Sequence, residues 1–240
     1  MHGYRRPTRL TVRFLAAVAG ATLVLTACSG SGPDDRPDPV KGPLSILLVN
    51  DDGWDAPGIT AVYDALREDG HDVTMVAPLE NQSGRSMATG IEALAVTEPE
   101  PGSPKYAVDG TPVDAVNVGL FGVLKGKRPD LVVSGVNLGA NVAANTNYSG
   151  TVGAASAASE AGFPALAVSA DTGTGGEADF DDAADTVVSM VDALAEEGFD
   201  GLGLAGFLNV NVPAATASRD EPRGVRSVPL GVGGPRTVTY

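Results

Sequence analysis

The chain has 240 residues, 43% hydrophobic and 19% charged but only 5% aromatic, which suits one sizeable domain with an aliphatic core. Its formal net charge of −14 argues against a nucleic-acid polymer as partner, because phosphate backbones demand Lys and Arg. A small phosphorylated substrate stays compatible, since a bound divalent cation reverses the local field.

Residues 1–27 read as a lipoprotein signal peptide. Arg5, Arg6, Arg9 and Arg13 form a basic start, and residues 14–25 are an apolar run too short to span a bilayer comfortably. Leu25-Thr26-Ala27-Cys28 then sets the one cysteine directly after small residues. This resembles the lipobox of bacterial lipoproteins. The resemblance implies cleavage before Cys28, a lipid on its sulfur, and an exported protein held at the outer face of the bacterial cell membrane. A plain secretory signal or an uncleaved anchor is the alternative. The Arg5-Arg6 pair leaves Sec and twin-arginine export both open. With one cysteine there is no internal disulfide. Residues 28–43 form a polar Gly/Pro/Asp tether, and residues 44–240 the folded domain.

From Leu44 the pattern alternates strand and helix. Residues 44–49 are a continuous apolar run, as in a buried parallel strand. Residues 58–68 have apolar positions at helical spacing, with Gly70 as the stop. Residues 72–77 predict the next strand, and 91–97 and 105–108 two further extended pieces. Residues 112–124 predict a helix capped by Thr111, and 131–134 a core strand. An Ala-rich helix at 149–161, a strand at 165–170, an amphipathic helix at 181–197 and a strand at 207–212 follow. The alternation predicts an α/β fold: a Rossmann-like three-layer sandwich with a mostly parallel sheet.

In such sheets ligands sit beyond the carboxyl ends of the strands. Three polar loops fall there: Asn50-Asp51-Asp52 after the first strand, Asn81-Gln82-Ser83-Gly84 after the second, and Ser134-Gly135-Val136-Asn137 after the strand at 131–134. Adjacent carboxylates repel and need a compensating cation. Taken alone, Asn50-Asp51-Asp52-Gly53 fits a metal loop or an Asp-rich turn capping the next helix equally. The three loops together supply carboxylate, hydroxyl and amide oxygens and no Cys or His. That inventory suits Mg²⁺, Mn²⁺ or Ca²⁺. Ser149-Gly150-Thr151 opens the Ala-rich helix, where free N–H groups and the macrodipole attract anions. Alone it reads as an ordinary Ser cap; beside a metal it reads as a phosphate site.

These motifs resemble the SurE-like (survival protein E) nucleotidase family. The resemblance rests on Ile46-Leu47-Leu48-Val49-Asn50-Asp51-Asp52-Gly53 with Ala56-Pro57-Gly58-Ile59, on Val76-Ala77-Pro78 with Asn81-Gln82-Ser83-Gly84, and on residues 106–114, 129–137, 148–155 and 209–213. It implies hydrolysis of nucleoside monophosphates with a divalent metal held by Asp51, Asp52, Ser83 and Asn137. Asp51 is the candidate catalytic group. Asn50, Asn141, Ser149, Gly150 and Thr151 would hold the substrate phosphate. Two departures stand out. Asn145 occupies a position where the family commonly has aspartate, and the chain stops at Tyr240, soon after the 209–213 strand. A homodimer is the expected assembly.

A non-catalytic lipoprotein that binds nucleotides or phosphate is the alternative to an enzyme. An aspartyl-phosphate phosphatase ranks below both, because that chemistry wants aspartates two apart and a later lysine. Gly173–Gly176 reads as a loop, His71 as a surface residue, and Trp54 and Asp55 flank the metal loop.

Overall fold

The computed structural model describes residues 42–91, 93–173, 176–199, 206–214 and 226–231. The segments expected to be a signal peptide and a tether, with Cys28, lie outside the described residues up to residue 41. The elements in chain order are β1 (Ser45–Val49), α1 (Pro57–Glu68), β2 (Asp72–Pro78), β3 (Val96–Thr97), β4 (Lys105–Val108), α2 (Pro112–Val118), β5 (Leu131–Leu138), α3 (Gly150–Glu160), β6 (Ala165–Ala170), α4 (Phe180–Glu197) and β7 (Leu208–Val212). They form a seven-stranded sheet in the order β3-β4-β2-β1-β5-β6-β7. Every neighbouring pair is parallel except β3 with β4.

Alternation along the strands builds two cores. Ile46 and Leu48 of β1 face α1 and α4 through Ile59, Val62, Leu66, Val187 and Val191. Leu47 and Val49 face α2 and α3 through Ala115, Val116, Ala154 and Ala158. This is the expected three-layer sandwich, with a central strand apolar on both sides because helices cover both. The small residues on α3 let it lie close to the sheet.

One connection departs from the usual handedness. The β1-α1-β2 crossover moves toward one edge of the sheet, while β6-α4-β7 moves toward the other. Their helices nevertheless lie on the same face. The two crossovers are therefore opposite in hand. The β5-α3-β6 unit runs in the second direction on the opposite face, so it matches β1-α1-β2, and β6-α4-β7 is the exception to the right-handed rule.

Four local expectations change. The strand expected at 131–134 continues to Leu138 with a register irregularity between Ser134 and Asn137. Leu131 and Val133 face α1 and α4, and so does Val136, which simple alternation would put on the other side. The irregularity thus reverses parity and re-aims the end of the strand, as bulges do. A cis peptide joins Gly135 and Val136 within it. The helix expected to reach Leu124 ends at Val118 and passes into a π-helical turn, Gly119–Val123. A Cβ on Gly119 would fall 2.7 Å from Leu47 Cδ1, so the wider turn begins where a core side chain presses on the backbone. Among the described residues, the extended piece expected at 91–97 pairs only at Val96–Thr97, and Ile91 is fully exposed. His71, expected at the surface, is only 8% exposed. Its Nδ1 accepts a hydrogen bond from the Leu44 amide (3.2 Å), which fixes the chain just before β1.

Candidate active site

The chain leaves β1 toward β2 and leaves β5 toward β6, so the sheet's switch point lies between β1 and β5. In open α/β sheets the crevice beyond the strand ends forms at such a point. Asp51 and Asp52 follow β1 on one side of it, and Asn137 and Leu138 end β5 on the other.

Asp51 is 2% exposed, and its Oδ1 accepts the Thr151 hydroxyl at 2.6 Å. Gly150 packs flat against the same carboxylate, because a Cβ there would lie 2.7 Å from Asp51 Cβ and 2.8 Å from Oδ2. Asp52 is half-buried. Its Oδ2 accepts the Leu138 amide (3.0 Å) and its Oδ1 the Asn81 side-chain amide (3.2 Å). Burial pushes the Asp51 carboxyl above its ordinary range; the neighbouring Asp52 charge adds to this, and the Thr151 hydrogen bonds oppose it. Burial also raises Asp52, against the Leu138 and Asn81 hydrogen bonds.

The second loop is fastened onto these two residues. Gln82 N–H donates to the Asp51 carbonyl (2.7 Å), and Asn81 Oδ1 accepts from Ser83 N–H (2.9 Å) while its amide reaches Asp52. Ser83 is thereby brought to the carboxylate pair, with its side chain exposed. Asn137 spends its Nδ2 on the Gly139 carbonyl (2.6 Å), and among the described residues its Oδ1 has no hydrogen-bond donor. The four expected metal-holding residues therefore converge on one crevice. They fit a hard divalent cation for a physical reason: two neighbouring carboxylates, one buried, have no Lys, Arg or His bonded to them among the described residues, and Asn137, its amide oxygen unbonded, directly precedes the Leu138 amide that meets Asp52.

The residues expected on phosphate are arranged differently. Asn50 is fully buried and closes its own turn, donating to Gly53 O (2.7 Å) and accepting from Gly53 N (3.3 Å). Asn141 donates to Ser169 Oγ (2.9 Å), and its backbone is held by Asn209 and Asn211 of β7. Ser149 Oγ caps α3 by accepting from Val152 N–H (3.1 Å). Thr151 serves Asp51 with its hydroxyl. The start of α3 thus first stabilises a carboxylate of the protein itself.

Sequence reasoning passed over three positioning residues. Asn81 ties Ser83 to Asp52. Gln82 ties the same loop to Asp51. Asp114 is buried and accepts from Gly90 N–H (2.9 Å), Thr111 N–H (2.9 Å) and Thr111 Oγ1 (2.9 Å), which anchors the far end of the loop to α2. Thr111-Pro112-Val113-Asp114 is a capping box visible in the sequence.

A second acidic group, Asp69, His71 and Asp192, brings its ligand atoms within 4.8 Å of one another. It lies at the opposite end of the sheet, where β2 begins. The Leu44 amide donates to His71 Nδ1, so the neutral ring carries its proton on Nε2, the atom 3.3 Å from Asp69 Oδ2. A nitrogen protonated in this way is not a metal ligand.

The family model for Survival protein SurE matches residues 46–233. A 5'-nucleotidase SurE from Syntrophotalea carbinolica is 45% identical over 172 residues, covering 71% of this chain and 66% of its own length. Another from Desulfatibacillum aliphaticivorans is 42% identical over 193 residues, covering 79% of this chain and 72% of its own. The crystal structure of the Sure protein from Aquifex aeolicus superposes with a TM-score of 0.65 at 38% identity, covering 72% of this chain and 68% of that one. The chain therefore spans about two thirds of the length of the relatives it matches. With the crevice, its carboxylate pair and these matches in agreement, the chain belongs to the SurE family.

Proposed function

We propose that this chain is a divalent-metal-dependent phosphomonoesterase that hydrolyses nucleoside monophosphates to nucleoside and phosphate, a 5'/3'-nucleotidase. The observation that carries the reading is the Asp51–Thr151 hydrogen bond, which clamps a buried carboxylate loop onto the first turn of a helix. Cation-seeking oxygens and anion-seeking amides thus share one crevice. The relatives' name, 5'-nucleotidase SurE, supports the substrate class.

Asp51, Asp52, Ser83 and Asn137 would hold the cation, and their all-oxygen chemistry suits Mg²⁺ or Mn²⁺, with Ca²⁺ also admissible. A bound divalent cation supplies positive charge that polarises the phosphoryl group and eases attack by water. Thr151 favours the ionised form of Asp51 against its burial and fixes the carboxylate, and Asp51 is the candidate to accept a proton from that water. The Gly150 amide, unused within the helix, is open to a phosphate oxygen. Asn50 closes the turn after β1, and Asn141 ties the loop after β5 to β6 and β7. Asn145 lies in the short 3-10 turn Ala143–Asn147 beside α3.

The test is phosphate release from a panel of nucleoside monophosphates by the full-length chain, with Mg²⁺ or Mn²⁺ and with chelator. Metal-dependent release that Asp51→Asn lowers by on the order of 10²-fold or more agrees with the proposal. Nucleotide binding without release points instead to a non-catalytic binding lipoprotein, and full activity in Asp51→Asn removes that carboxylate from the mechanism.

The lipobox motif supports export and attachment to the outer face of the cell membrane through a lipid on Cys28. Among the described residues no helix is long and apolar enough to cross a membrane. Cys28→Ser should move the protein from the membrane fraction to the soluble one. A homodimer is also proposed, supported by the outer edge of β7, which among the described residues is the last strand of the sheet and has Leu208 38% exposed.

A further inference from the structure

By sequence, the segments that follow the strands are markedly anionic. The segments 50–56, 79–95, 139–149 and 171–179, which follow β1, β2, β5 and β6, contain eight acidic residues and one basic residue, Arg85. A phosphate dianion entering there meets Asp51 and Asp52. The bound cation offsets part of that repulsion, and Arg85 is the one side chain on these segments able to offset more.

The position of Arg85 is closely fixed. Gln82 N–H donates to the Asp51 carbonyl, and Arg85 N–H closes a turn back to Gln82 O (3.2 Å). Ser86, the next residue, donates from its amide to Tyr148 O (3.2 Å) and from its hydroxyl to Asn147 O (2.8 Å). The Ser86 carbonyl also packs against Gly153 in the first turn of α3, where a Cβ would fall 2.2 Å away. Arg85 is thus bracketed between the carboxylate loop and the start of α3, two residues after Ser83.

Its side chain is half-committed. Nε donates to Gln82 Oε1 at 3.1 Å, and the residue is exposed. Among the described residues the two terminal nitrogens have neither a hydrogen bond nor an ion pair. Anchoring Nε removes part of the side chain's freedom and leaves the outer fork open, the geometry that grips a phosphate through two parallel N–H···O bonds.

We propose that Arg85 binds the phosphate group of the substrate, with Gln82 as its positioning residue, and that this contact strengthens as charge gathers on the phosphoryl oxygens during transfer. The inference rests on the nucleotidase reading above. It adds a phosphate-recognising group that is neither a metal holder nor part of the helix start.

The experiment uses the full-length chain and its Arg85→Ala, Arg85→Lys and Gln82→Leu variants. Three quantities are measured with saturating Mn²⁺: kcat and KM for a nucleoside monophosphate, the inhibition constant of inorganic phosphate, and that of the uncharged nucleoside. In Arg85→Ala, kcat/KM should fall and the phosphate constant rise by roughly ten- to a hundredfold, as for loss of a charged hydrogen bond, with the nucleoside constant unchanged. Arg85→Lys should recover part of the loss, because it restores charge without the fork. Gln82→Leu should show a smaller loss of the same kind. Phosphate inhibition within about twofold of wild type in Arg85→Ala overturns the proposal. So does an equal weakening of nucleoside inhibition, which would report a deformed crevice. If the wild type releases no phosphate from any nucleotide, the nucleotidase reading fails by itself. Calorimetric binding of inorganic phosphate to wild type and Arg85→Ala then decides the Arg85 contact separately.

Discussion

The Thr151 hydroxyl donates to Asp51 Oδ1 at 2.6 Å, joining residues 100 apart in sequence. Neither residue is free to move alone: Thr151 is fully buried in the first turn of α3, and Asp51 is held by the end of β1. The bond uses one carboxylate oxygen and leaves Oδ2 for a cation. Such outer partners orient a metal ligand and hold it ionised.

Thr151→Val keeps the shape of the side chain and removes only the hydroxyl. Mn²⁺ affinity should fall about 10- to 100-fold, measured by calorimetric titration, with much of the activity recovered at high metal. Unchanged affinity would show that the hydroxyl does no more than fill space.

Much of this arrangement was legible in the sequence, for identifiable reasons. The apolar run before Asn50-Asp51-Asp52 fixed a central strand, because only a strand covered on both faces is apolar at every position. Oxygen-donor loops after successive strands then had to share one end of a parallel sheet. The use of Thr151 and Asn50 was not legible. Both are hydrogen-bonding residues on the correct loops, and whether such a group meets ligand or protein depends on contacts between distant segments. The reach of β5 to Leu138 was hidden too, since Ser134-Gly135 reads as a loop and the register irregularity that keeps it in the sheet has no local signature. His71 looked exposed because it sits between a polar helix end and a strand, yet the Leu44 amide draws it inside.

Two glycines set how closely the loops can approach α3. Gly150 abuts Asp51, and Gly153 abuts the Ser86 carbonyl, with prospective Cβ distances of 2.7 and 2.2 Å. The second neighbour is backbone, so it cannot swing aside. Gly153→Ala should destabilise the protein by about 1–3 kcal/mol in urea unfolding. It should also displace the Ser83–Ser86 turn and raise KM for substrate. Wild-type stability and KM together in this variant would contradict the close packing.

His71 supplies a contrast at the other end of the sheet. Removing its ring leaves the Leu44 amide without an acceptor in a buried position. His71→Ala should therefore lower stability by about 1–3 kcal/mol from the unsatisfied amide. Metal affinity and kcat, measured below the new unfolding temperature, should stay at the wild-type level. A lost metal equivalent in that variant would instead assign an ion to the Asp69–His71–Asp192 group.

The carboxylate pair makes stability depend on pH and metal together. Burial raises both Asp51 and Asp52 above the ordinary value of 3.8 in the metal-free protein. A group raised on folding lends stability that is complete below its unfolded value and is lost as pH climbs through its folded value. Metal-free protein should therefore lose this contribution as pH rises from about 4 toward neutrality. A divalent cation acts in the opposite sense, because it binds the ionised pair and competes with protons. The rise in Tm produced by Mn²⁺ over chelator should thus be small near pH 4 and grow steadily to about pH 7. In Asp51→Asn the rise should shrink at every pH, and its pH dependence should flatten because one of the two titrating groups is gone. Thermal unfolding across this range, with and without metal, reads both effects. A metal-induced shift that is the same at acid and neutral pH would mean that the cation binds elsewhere than on Asp51 and Asp52.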